Sequence, residues 1–454
     1  MALGGGREIG ANSFYYGLDG TGLLIDAGLH PEKTGWAAFP AIEALEGKPV
    51  DHFLITHAHT DHLGAVPFVR QSYPDVPLYA TSETIELAKI MLVNSASLLP
   101  KQHSQEVIDR LPFYNVLALP ETIQKMRPLE LGTSQELTSR EAAGTGIKVT
   151  YYPSGHILGA AGVLMECNGR RIFHTGDTSL HPQHLIAGAQ LPEGPIDVLV
   201  SESTNGVVDA YLTHSREKEL ERLIVTINET LAADGSVLIP VFALGKLQEM
   251  LTMIGQAMQE GKIPKVPIYT GGMGRKVSAI YDQFLTSRSR TNEVDKTSDV
   301  EQQELPRRDA LFGGKYFREP SIVMAASGMM QDGTASYLLA QRWLRHAHFA
   351  ICFVGYTDPR TPGYVVSHAQ RETRIKFGSM KREVPVRCRI ERFRFSAHAR
   401  REELLEIVRR LKPKHVVLTH GDEKAISAFG ELILENFPDM IVSAPEVGKW
   451  YRLD

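Results

Sequence analysis

At residues 56–62 the sequence reads Thr56-His57-Ala58-His59-Thr60-Asp61-His62. The apolar run 53–55 comes before it, and an apolar segment typical of a helix follows. Two histidines one residue apart at the end of a strand project to the same side, and the Asp-His pair in the next turn faces a second position close by. Imidazole and carboxylate are the ligands that zinc prefers in catalytic sites. A histidine-rich surface turn is the alternative, but this density of ligands favours a metal site.

Two further candidate ligands lie downstream, where predicted strands end. His156 follows a strand that runs through Tyr152, and Asp177 follows a strand that ends at His174. A Gly-His or Gly-Asp pair by itself is more typical of a turn. Together with residues 56–62, however, they complete a set that suits two ions about 3.5–4 Å apart. The predicted assignment is one ion on His57, His59 and His156, a second ion on Asp61 and His62, and Asp177 as the bridge.

The composition is that of an ordinary soluble protein of 454 residues, long enough for two compact domains. The three cysteines, Cys167, Cys352 and Cys388, form no C-x-x-C pair, so any metal is expected on histidine and carboxylate. The net charge of −4 argues against attraction of the whole surface to a polyanion, so a nucleic-acid substrate requires a local basic patch. No apolar run is as long as a bilayer span and no secretory signal is recognised, which favours the cytoplasm and no membrane.

The pattern along the chain is α/β. Short β-type runs precede Asn205, at residues 23–25, 53–56, 149–152, 162–166, 171–174 and 198–201. Beyond Asn205, amphipathic helices alternate with solitary apolar strands, which usually builds a parallel sheet flanked by helices. After 386 the pattern predicts a strand, a helix at 402–411, a strand at 415–418 and a helix at 424–435. Residues 287–308 are polar and irregular and are predicted to form a surface loop.

At residues 56–62 the chain resembles the metallo-β-lactamase superfamily, whose hallmark is H-x-H-x-D-H with later His and Asp ligands. The resemblance implies the αββα sandwich of that superfamily and metal-dependent hydrolysis. Asp26 matches an aspartate that the family places at the end of an early strand, and we expect it to orient a ligand rather than to bind metal. A turn carboxylate is the alternative for Asp26.

Three later segments resemble motifs A, B and C of the β-CASP group of nucleic-acid-processing enzymes. They are residues 201–206 around Glu202, residues 395–399 around His398 and residues 418–421 around His420. The group carries an α/β domain inserted between motifs A and B, where the pattern changes in this chain. We therefore predict a metallo-β-lactamase domain at 1–205 and 386–454 with a β-CASP insert at 206–385. A histidine at the position of His420 is typical of the RNA-cutting members.

The resemblance makes His420 a ligand of the second ion and pairs Glu202 with His398 at the scissile phosphate. It implies attack by a metal-bound hydroxide, with Asp61 also in a catalytic role and His398 protonating the leaving 3′-oxygen. A helix-cap histidine is the alternative for His398, and a turn histidine is the alternative for His420. Arg400 departs from the family pattern, because many members carry an acidic residue at that place.

Basic residues cluster beside motif B. Only Glu383 and Glu391 oppose them between 381 and 401, and they are Lys381, Arg382, Arg387, Arg389, Arg392, Arg394, Arg400 and Arg401. Such a run is usually a solvated strand face, but its place next to motif B favours contact with RNA. Further candidates for substrate binding are Ser327 and Gly328, as an anion nest or a plain glycine turn, together with Ser396 and Arg400.

The sequence thus predicts a ribonuclease, either an endonuclease or a 5′-to-3′ exonuclease, that acts on single-stranded RNA. It is expected to use two Zn²⁺ ions per chain, with Mn²⁺ as the alternative, and a homodimer is compatible with it. The other readings are a thioester or lactone hydrolase of the same fold, a β-CASP DNA nuclease and a non-catalytic RNA-binding subunit. The insert argues against the hydrolase of small molecules, and the full ligand set argues against the non-catalytic subunit. The end of the chain soon after motif C favours a compact bacterial or archaeal enzyme.

Overall fold

The computed structural model describes residues 1–102, 119–139, 146–207, 215–291, 296–311, 317 and 319–452. The chain divides into two compact units. Unit 1 comprises Met1–Val208, Thr286–Thr291 and Ala397–Asp454, and unit 2 comprises Asp209–Leu285 and Asn292–Ser396. Within the described ranges, no helix combines the length and apolar character needed to cross a bilayer.

The first sheet of unit 1 has six strands in sequence order. They are β1 Ala2–Gly4, β2 Ser13–Leu18, β3 Thr21–Ile25, β4 His52–Leu54, β5 Leu78–Ala80 and β6 Met126–Pro128. Strands β1 to β3 are antiparallel and β3 to β6 are parallel. Parallel neighbours require crossover connections, and the helices Val66–Ser72 and Ser82–Gln102 lie in two of them.

The second sheet of unit 1 has seven strands in the order β21-β20-β11-β10-β9-β8-β7. They are β7 Ser134–Leu137, β8 Ile147–Pro153, β9 Ala161–Cys167, β10 Arg170–His174, β11 Val198–Glu202, β20 His415–Thr419 and β21 Ile441–Ser443. The pairs from β7 to β10 are antiparallel, whereas β10, β11, β20 and β21 run parallel. Strands β8, β10, β11 and β20 therefore all point the same way.

The core of unit 1 lies between its two sheets. Leu23, Ile25 and Leu54 from the first sheet pack in one cluster with Val149 and Val163 from the second. The other face of the second sheet is covered by the helices Arg401–Leu411 and Glu423–Asn436, which contribute Leu404, Val408 and Phe429. Smaller helical segments of this unit are Thr60–Leu63 and Leu119–Gln124. Two stacked sheets with helices outside them give the predicted sandwich.

Unit 2 is built on a parallel sheet in the order β14-β13-β15-β12-β16-β19. The strands are β12 Val237–Pro240, β13 Ile268–Thr270, β14 Gln303–Glu304, β15 Ile322–Ala325, β16 Ala350–Phe353 and β19 Arg389–Arg392, all paired in parallel. A separate ribbon pairs β17 Arg374–Ile375 with β18 Val384–Pro385. The helices of this unit are Arg216–Ala232, Lys246–Gln259, Gly272–Gln283, Arg308–Leu311, Ala335–Trp343 and Pro362–Ser367.

The central strands of unit 2 are apolar throughout because both faces of the sheet are covered. Val237 and Ile239 point into one core cluster with residues of the helices Arg216–Ala232 and Lys246–Gln259. Leu238 points into the opposite cluster with residues of Ala335–Trp343. This is the sheet flanked by helices that the alternation beyond Asn205 predicts.

The second boundary between the units differs from the predicted division at 385/386. Strand β19 falls within the segment predicted for the first domain, yet it pairs with β16 from Ala350↔Arg389 to Phe353↔Arg392. The chain leaves the unit 2 sheet after Arg392, and unit 1 resumes at Ala397. Only one of the four residues of β19, Ile390, is apolar, so the local pattern does not show which sheet the strand joins.

The prediction of a surface loop at 287–308 is wrong for part of that segment. Residues 286–291 belong to unit 1, where Ser289 and Arg290 are buried and Ser289 Oγ accepts a hydrogen bond of 3.1 Å from Gly159 N. Residues 303–304 form the edge strand β14, and residues 292–295 lie outside the described residues. Polar composition is misleading here because a buried polar group is tolerated once it is hydrogen-bonded.

Candidate metal centre and acid pair

Five strands of unit 1 are followed by candidate site residues at their carboxyl ends. His57 and His59 follow β4, His156 follows β8, Asp177 follows β10, Glu202 closes β11 and His420 follows β20. Strands of one direction in a sheet end at the same edge. This holds for β8, β10, β11 and β20 of the second sheet, while β4 belongs to the first sheet. Residues from the two sheets meet, since Asp61 Oδ2 lies 3.4 Å from His420 Nε2 although the two residues are 359 positions apart.

The first candidate ligand group is His57, His59, His156 and Asp177, with one donor atom of each within 4.8 Å of the others. His59 Nδ1 lies 3.2 Å from His57 Nε2 and 3.0 Å from His156 Nε2. Asp177 Oδ2 lies 3.6 Å from His57 Nε2 and 3.5 Å from His156 Nε2. A tetrahedral ion with bonds of about 2.1 Å spaces its ligands by about 3.4 Å. The donor set and its spacing therefore fit a metal ion.

The second group is Asp61, His62 and His420. Asp61 Oδ2 lies 3.4 Å from His420 Nε2 and 3.7 Å from His62 Nε2. Asp177 reaches this group with its other oxygen, Oδ1, at 3.3 Å from His62 Nε2 and 3.4 Å from His420 Nδ1. That oxygen is buried and accepts no hydrogen bond from the described residues. A buried carboxylate oxygen surrounded by nitrogens but without a hydrogen bond fits coordination to a cation.

Asp26 holds one of these imidazoles in place. Its Oδ2 lies 2.7 Å from His62 Nδ1, which leaves Nε2 of His62 facing Asp61 and Asp177. The same carboxylate accepts hydrogen bonds from the backbone N–H and the hydroxyl of Thr56, each at 2.7 Å. Asp26 is fully buried, and it takes the position that an orienting partner of a ligand histidine occupies.

The buried charges favour neutral imidazoles on one side of the cluster and ionised carboxylates in the middle. Burial lowers the pKa of His57 and His156 well below the ordinary value, and neighbouring positive imidazoles add to this effect. Burial opposes ionisation of Asp177, but His420, His62 and His398 outweigh it and hold the pKa of Asp177 well below its usual range. Neutral imidazole and ionised carboxylate are the protonation states that bind metal.

His398 and Glu202 form a pair beside the ligand groups, within unit 1. His398 Nδ1 lies 3.0 Å from Glu202 Oε2, and Glu202 Oε1 accepts a hydrogen bond of 2.7 Å from Thr178 N. The His398 ring lies 4.6 Å from the ring of His156 and 5.8 Å from that of His420, measured between centroids. Its side chain is 24% exposed, whereas that of Glu202 is 1% exposed. Burial disfavours the charged form of His398, but Glu202 and Asp177 raise its pKa to about 9.

Two residues that contact the cluster were not among the predicted site residues. Thr204 Oγ1 lies 3.0 Å from His420 Nδ1 and 3.4 Å from His398 Nδ1. Asn12 Nδ2 donates a hydrogen bond of 3.0 Å to the carbonyl of Asp61. The signal for Thr204 was its place two residues after Glu202 in motif A. No local pattern marks Asn12, because its contact depends on the pairing of distant segments.

The predicted substrate-binding residues lie in both units. Arg400, in unit 1, precedes the helix Arg401–Leu411, and its backbone N–H donates a hydrogen bond of 2.7 Å to Glu403 Oε2. In unit 2, the hydroxyl of Ser327 accepts a hydrogen bond of 3.0 Å from Gln331 N, and Gly328 follows it in the turn after β15. The carbonyl of Ser396, also in unit 2, accepts a hydrogen bond of 3.3 Å from Arg216.

Family models match three consecutive parts of the chain. Residues 6–224 match the metallo-beta-lactamase superfamily, residues 247–366 match the Beta-Casp domain, and residues 383–445 match a Zn-dependent metallo-hydrolase RNA specificity domain. These ranges follow the same order as the predicted parts of the chain.

Curated relatives agree with these matches. Subunit 3-I of the cleavage and polyadenylation specificity factor from Arabidopsis thaliana is 28% identical over 96% of this chain and 61% of its own length. Endoribonuclease YSH1 of Candida glabrata is 27% identical over 98% of this chain and 58% of its own length. This chain thus spans about 60% of the length of such relatives. An RNase J-like protein of Methanocaldococcus jannaschii is 28% identical over 95% of this chain and 94% of its own length.

A solved structure shows the same fold. It is a crystal structure of an Enterococcus faecalis V583 protein of unknown function, with a TM-score of 0.53 and 15% identity over 99% of this chain and 98% of that chain. The predicted fold class and the predicted family resemblance are both confirmed. The chain belongs to the metallo-β-lactamase superfamily of metallo-hydrolases, in the branch that carries a β-CASP domain.

Proposed function

We propose that this chain is a zinc-dependent ribonuclease that hydrolyses phosphodiester bonds of single-stranded RNA, with His398 as general acid. The observation that carries the proposal is the Glu202–His398 pair, 3.0 Å apart, directly beside two groups of metal ligands. Relatives named as an endoribonuclease and as an RNase J-like protein support the reaction. The match to an RNA specificity domain supports the substrate.

We infer two metal sites that share one bridging carboxylate. The first would use His57, His59 and His156, the second would use Asp61, His62 and His420, and Asp177 would bridge them with its two oxygens. Histidine and carboxylate donors without thiolate suit Zn²⁺, and Mn²⁺ is the alternative. When bound, such ions supply Lewis acidity at a phosphate and lower the pKa of a water molecule toward neutrality.

Side chains of this protein would then supply the proton that the leaving 3′-oxygen needs. A 3′-oxygen leaving a phosphate needs a proton, and a protonated histidine whose pKa exceeds neutral pH can donate one. Glu202 keeps the His398 ring oriented and charged through the contact at Nδ1, which leaves Nε2 as the donating atom. In this assignment Asp61 is both a metal ligand and a catalytic residue. The products would carry 5′-phosphate and 3′-hydroxyl ends.

Substrate contact is proposed for the basic segment 381–401, together with Ser327, Gly328, Ser396 and Arg400. The segment contains strand β19, whose residues are only partly buried, and Arg389 lies there in ion pairs with Glu229 and Glu391. Arginine side chains on a partly exposed strand can bind phosphates of a nucleic acid.

Incubation with 5′-labelled RNA bearing monophosphate or triphosphate ends would separate endonuclease from 5′-to-3′ exonuclease activity through the product ladder.

The central test is His398→Ala assayed on labelled single-stranded RNA. We expect the cleavage rate to fall by about 10²- to 10⁴-fold, the usual contribution of a general acid, while the metal content per chain stays unchanged. His181→Ala is the matched control, because His181 also lies in unit 1 and its side chain is 78% exposed.

Two results would contradict the assignment. Normal cleavage by His398→Ala would show that His398 is not the general acid. Loss of one ion in this variant would show that His398 is a metal ligand, as its grouping with Asp177 and His420 allows. Turnover of thioesters or lactones by the wild-type chain without RNA cleavage would favour a hydrolase of small molecules.

A further inference from the structure

The carboxyl edge of the unit 2 sheet carries two aromatic residues, Phe242 and Tyr356, that have no role in the proposed mechanism. Strands β15, β12, β16 and β19 are neighbours in this sheet and all run in parallel. Their register pairs the last residues directly, with Pro240 opposite Ala325 and Phe353 opposite Arg392. In open α/β sheets, ligands bind outside the carboxyl ends of the strands.

Two positions beyond these ends, the four strands continue into Ser327, Phe242, Gly355 and Arg394 respectively. The strand order β15-β12-β16-β19 sets the order in which these four segments leave the edge of the sheet. Tyr356 comes next to Gly355 in the chain. The edge thus combines the turn at Ser327 and Gly328, two aromatic residues and an arginine.

The two aromatic side chains are unusually exposed for residues at the end of a buried strand. Phe242 is 38% exposed and Tyr356 is 55% exposed, whereas Phe353 and Phe395, which border the same edge, are 2% and 0% exposed. Phe242 is supported from one side by Gly328, since a Cβ at Gly328 would lie 3.1 Å from Cδ2 and Cε2 of the Phe242 ring. Because Gly328 has no side chain, the Phe242 ring can pack against the Gly328 backbone and stay exposed.

We propose that Phe242 and Tyr356 are base-stacking residues that bind unpaired nucleotides of an RNA strand, an inference that rests on the proposed function. Unpaired bases stack on aromatic side chains with little regard to sequence, while cationic and backbone N–H groups beside the rings take the phosphates. The edge provides both kinds of contact, with Ser327 and Gly328 on one side of Phe242 and Arg394 on the far side of Gly355. A surface that binds another protein would not require phosphate-binding groups beside aromatic rings.

The test is a kinetic comparison of Phe242→Ala and Tyr356→Ala on single-stranded RNA. Loss of one stacking ring should raise KM by between about 5-fold and about 100-fold, with kcat unchanged because the contact is equally present before and during reaction. Tyr356→Phe keeps the ring and should restore the wild-type KM. Val225→Ala is the matched control, because Val225 lies in the same unit and is 52% exposed.

A second measurement identifies the base as the group that is bound. For the wild-type chain, RNA with abasic residues should show the same rise in KM, and Phe242→Ala should then discriminate less between intact and abasic RNA.

If the wild-type chain cleaves RNA but both variants match Val225→Ala, the stacking assignment is wrong and the proposed function stands. If the wild-type chain neither binds nor cleaves RNA, the proposed function itself fails. A change in oligomeric state in either variant, with KM unchanged, would instead assign this edge to a protein contact.

Discussion

In both units several strands end together at one edge of a sheet, but the side chains that follow those strands differ in burial and charge. In unit 1 the side chains of His57, Asp177 and Glu202 are between 1% and 3% exposed. In unit 2 the corresponding positions include no histidine or carboxylate, and Phe242 and the neighbouring Tyr356 are exposed. Burying imidazole and carboxylate is costly unless a partner compensates, so the first edge indicates a resident ligand. Exposed aromatic rings do not carry the cost of burying polar groups, and they suit a ligand that binds reversibly.

The largest effect should come from Asp177→Ala, which removes the carboxylate that lies between the two candidate ligand groups. The variant thus loses the buried charge that distinguishes the unit 1 edge from the unit 2 edge. Its oxygens lie within 3.6 Å of four imidazole nitrogens, on His57, His62, His156 and His420. We expect the bound metal to be lost, and RNA cleavage to fall by about 10³- to 10⁵-fold, since metal ions supply several kcal/mol of transition-state stabilisation. Metal analysis by mass spectrometry of the purified chain checks the first expectation.

Asp75→Ala is the control for this change, because Asp75 is an exposed carboxylate of the same unit. Retention of two ions per chain by Asp177→Ala would show that the carboxylate does not bridge them.

A smaller effect is expected from Glu202→Gln, which keeps the shape of the side chain and removes its charge. A general acid acts in its protonated form, so cleavage should be present below the pKa of His398 and lost as pH rises through it. Glu202 is the largest contributor that raises that pKa to about 9, and bound cations would lower it from there. The variant should therefore lose activity at a pH about 1 to 3 pH units lower than the wild-type chain. The profile of kcat/KM against pH measures this difference.

His398→Ala provides the reference for that profile, because without the imidazole the alkaline limb should disappear. An alkaline limb at the same pH in Glu202→Gln and in the wild-type chain would mean that another group titrates.

The smallest effect should come from Ile239→Val, which changes the core of unit 2 and leaves both edges intact. Ile239 is fully buried in the cluster between the sheet and its helices. Loss of one methylene group should lower the free energy of unfolding by about 0.5–1.5 kcal/mol, measured by urea denaturation, with metal content and KM unchanged. Val225→Ala, on the exposed side of a helix in the same unit, should have almost no effect. A loss of metal in Ile239→Val would show that the centre depends on packing in unit 2.

The six strands predicted before Asn205 all correspond to strands of unit 1, because they are short apolar runs bounded by turns, whereas β1, β2, β5, β6 and β7 were not predicted. The predicted strand 171–174 corresponds to Arg170–His174, and the predicted helix 402–411 corresponds to Arg401–Leu411. Residues 286–291 and β19 were placed differently, since their own composition is polar and their partners lie far along the chain. Long-range pairing energy is not visible in a local pattern.

By itself the sequence determined the family and the candidate ligands, because each ligand stands in a short motif just after a strand, where the change from apolar to polar residues is local. The tertiary structure alone brought these candidates together from two sheets, left Asp177 Oδ1 without a hydrogen bond among the described residues, and set the Phe242 ring beside Gly328. The physical reason is that strand register and side-chain burial are set by contacts between residues about 80 or more positions apart. No window of the sequence contains both partners of such a contact.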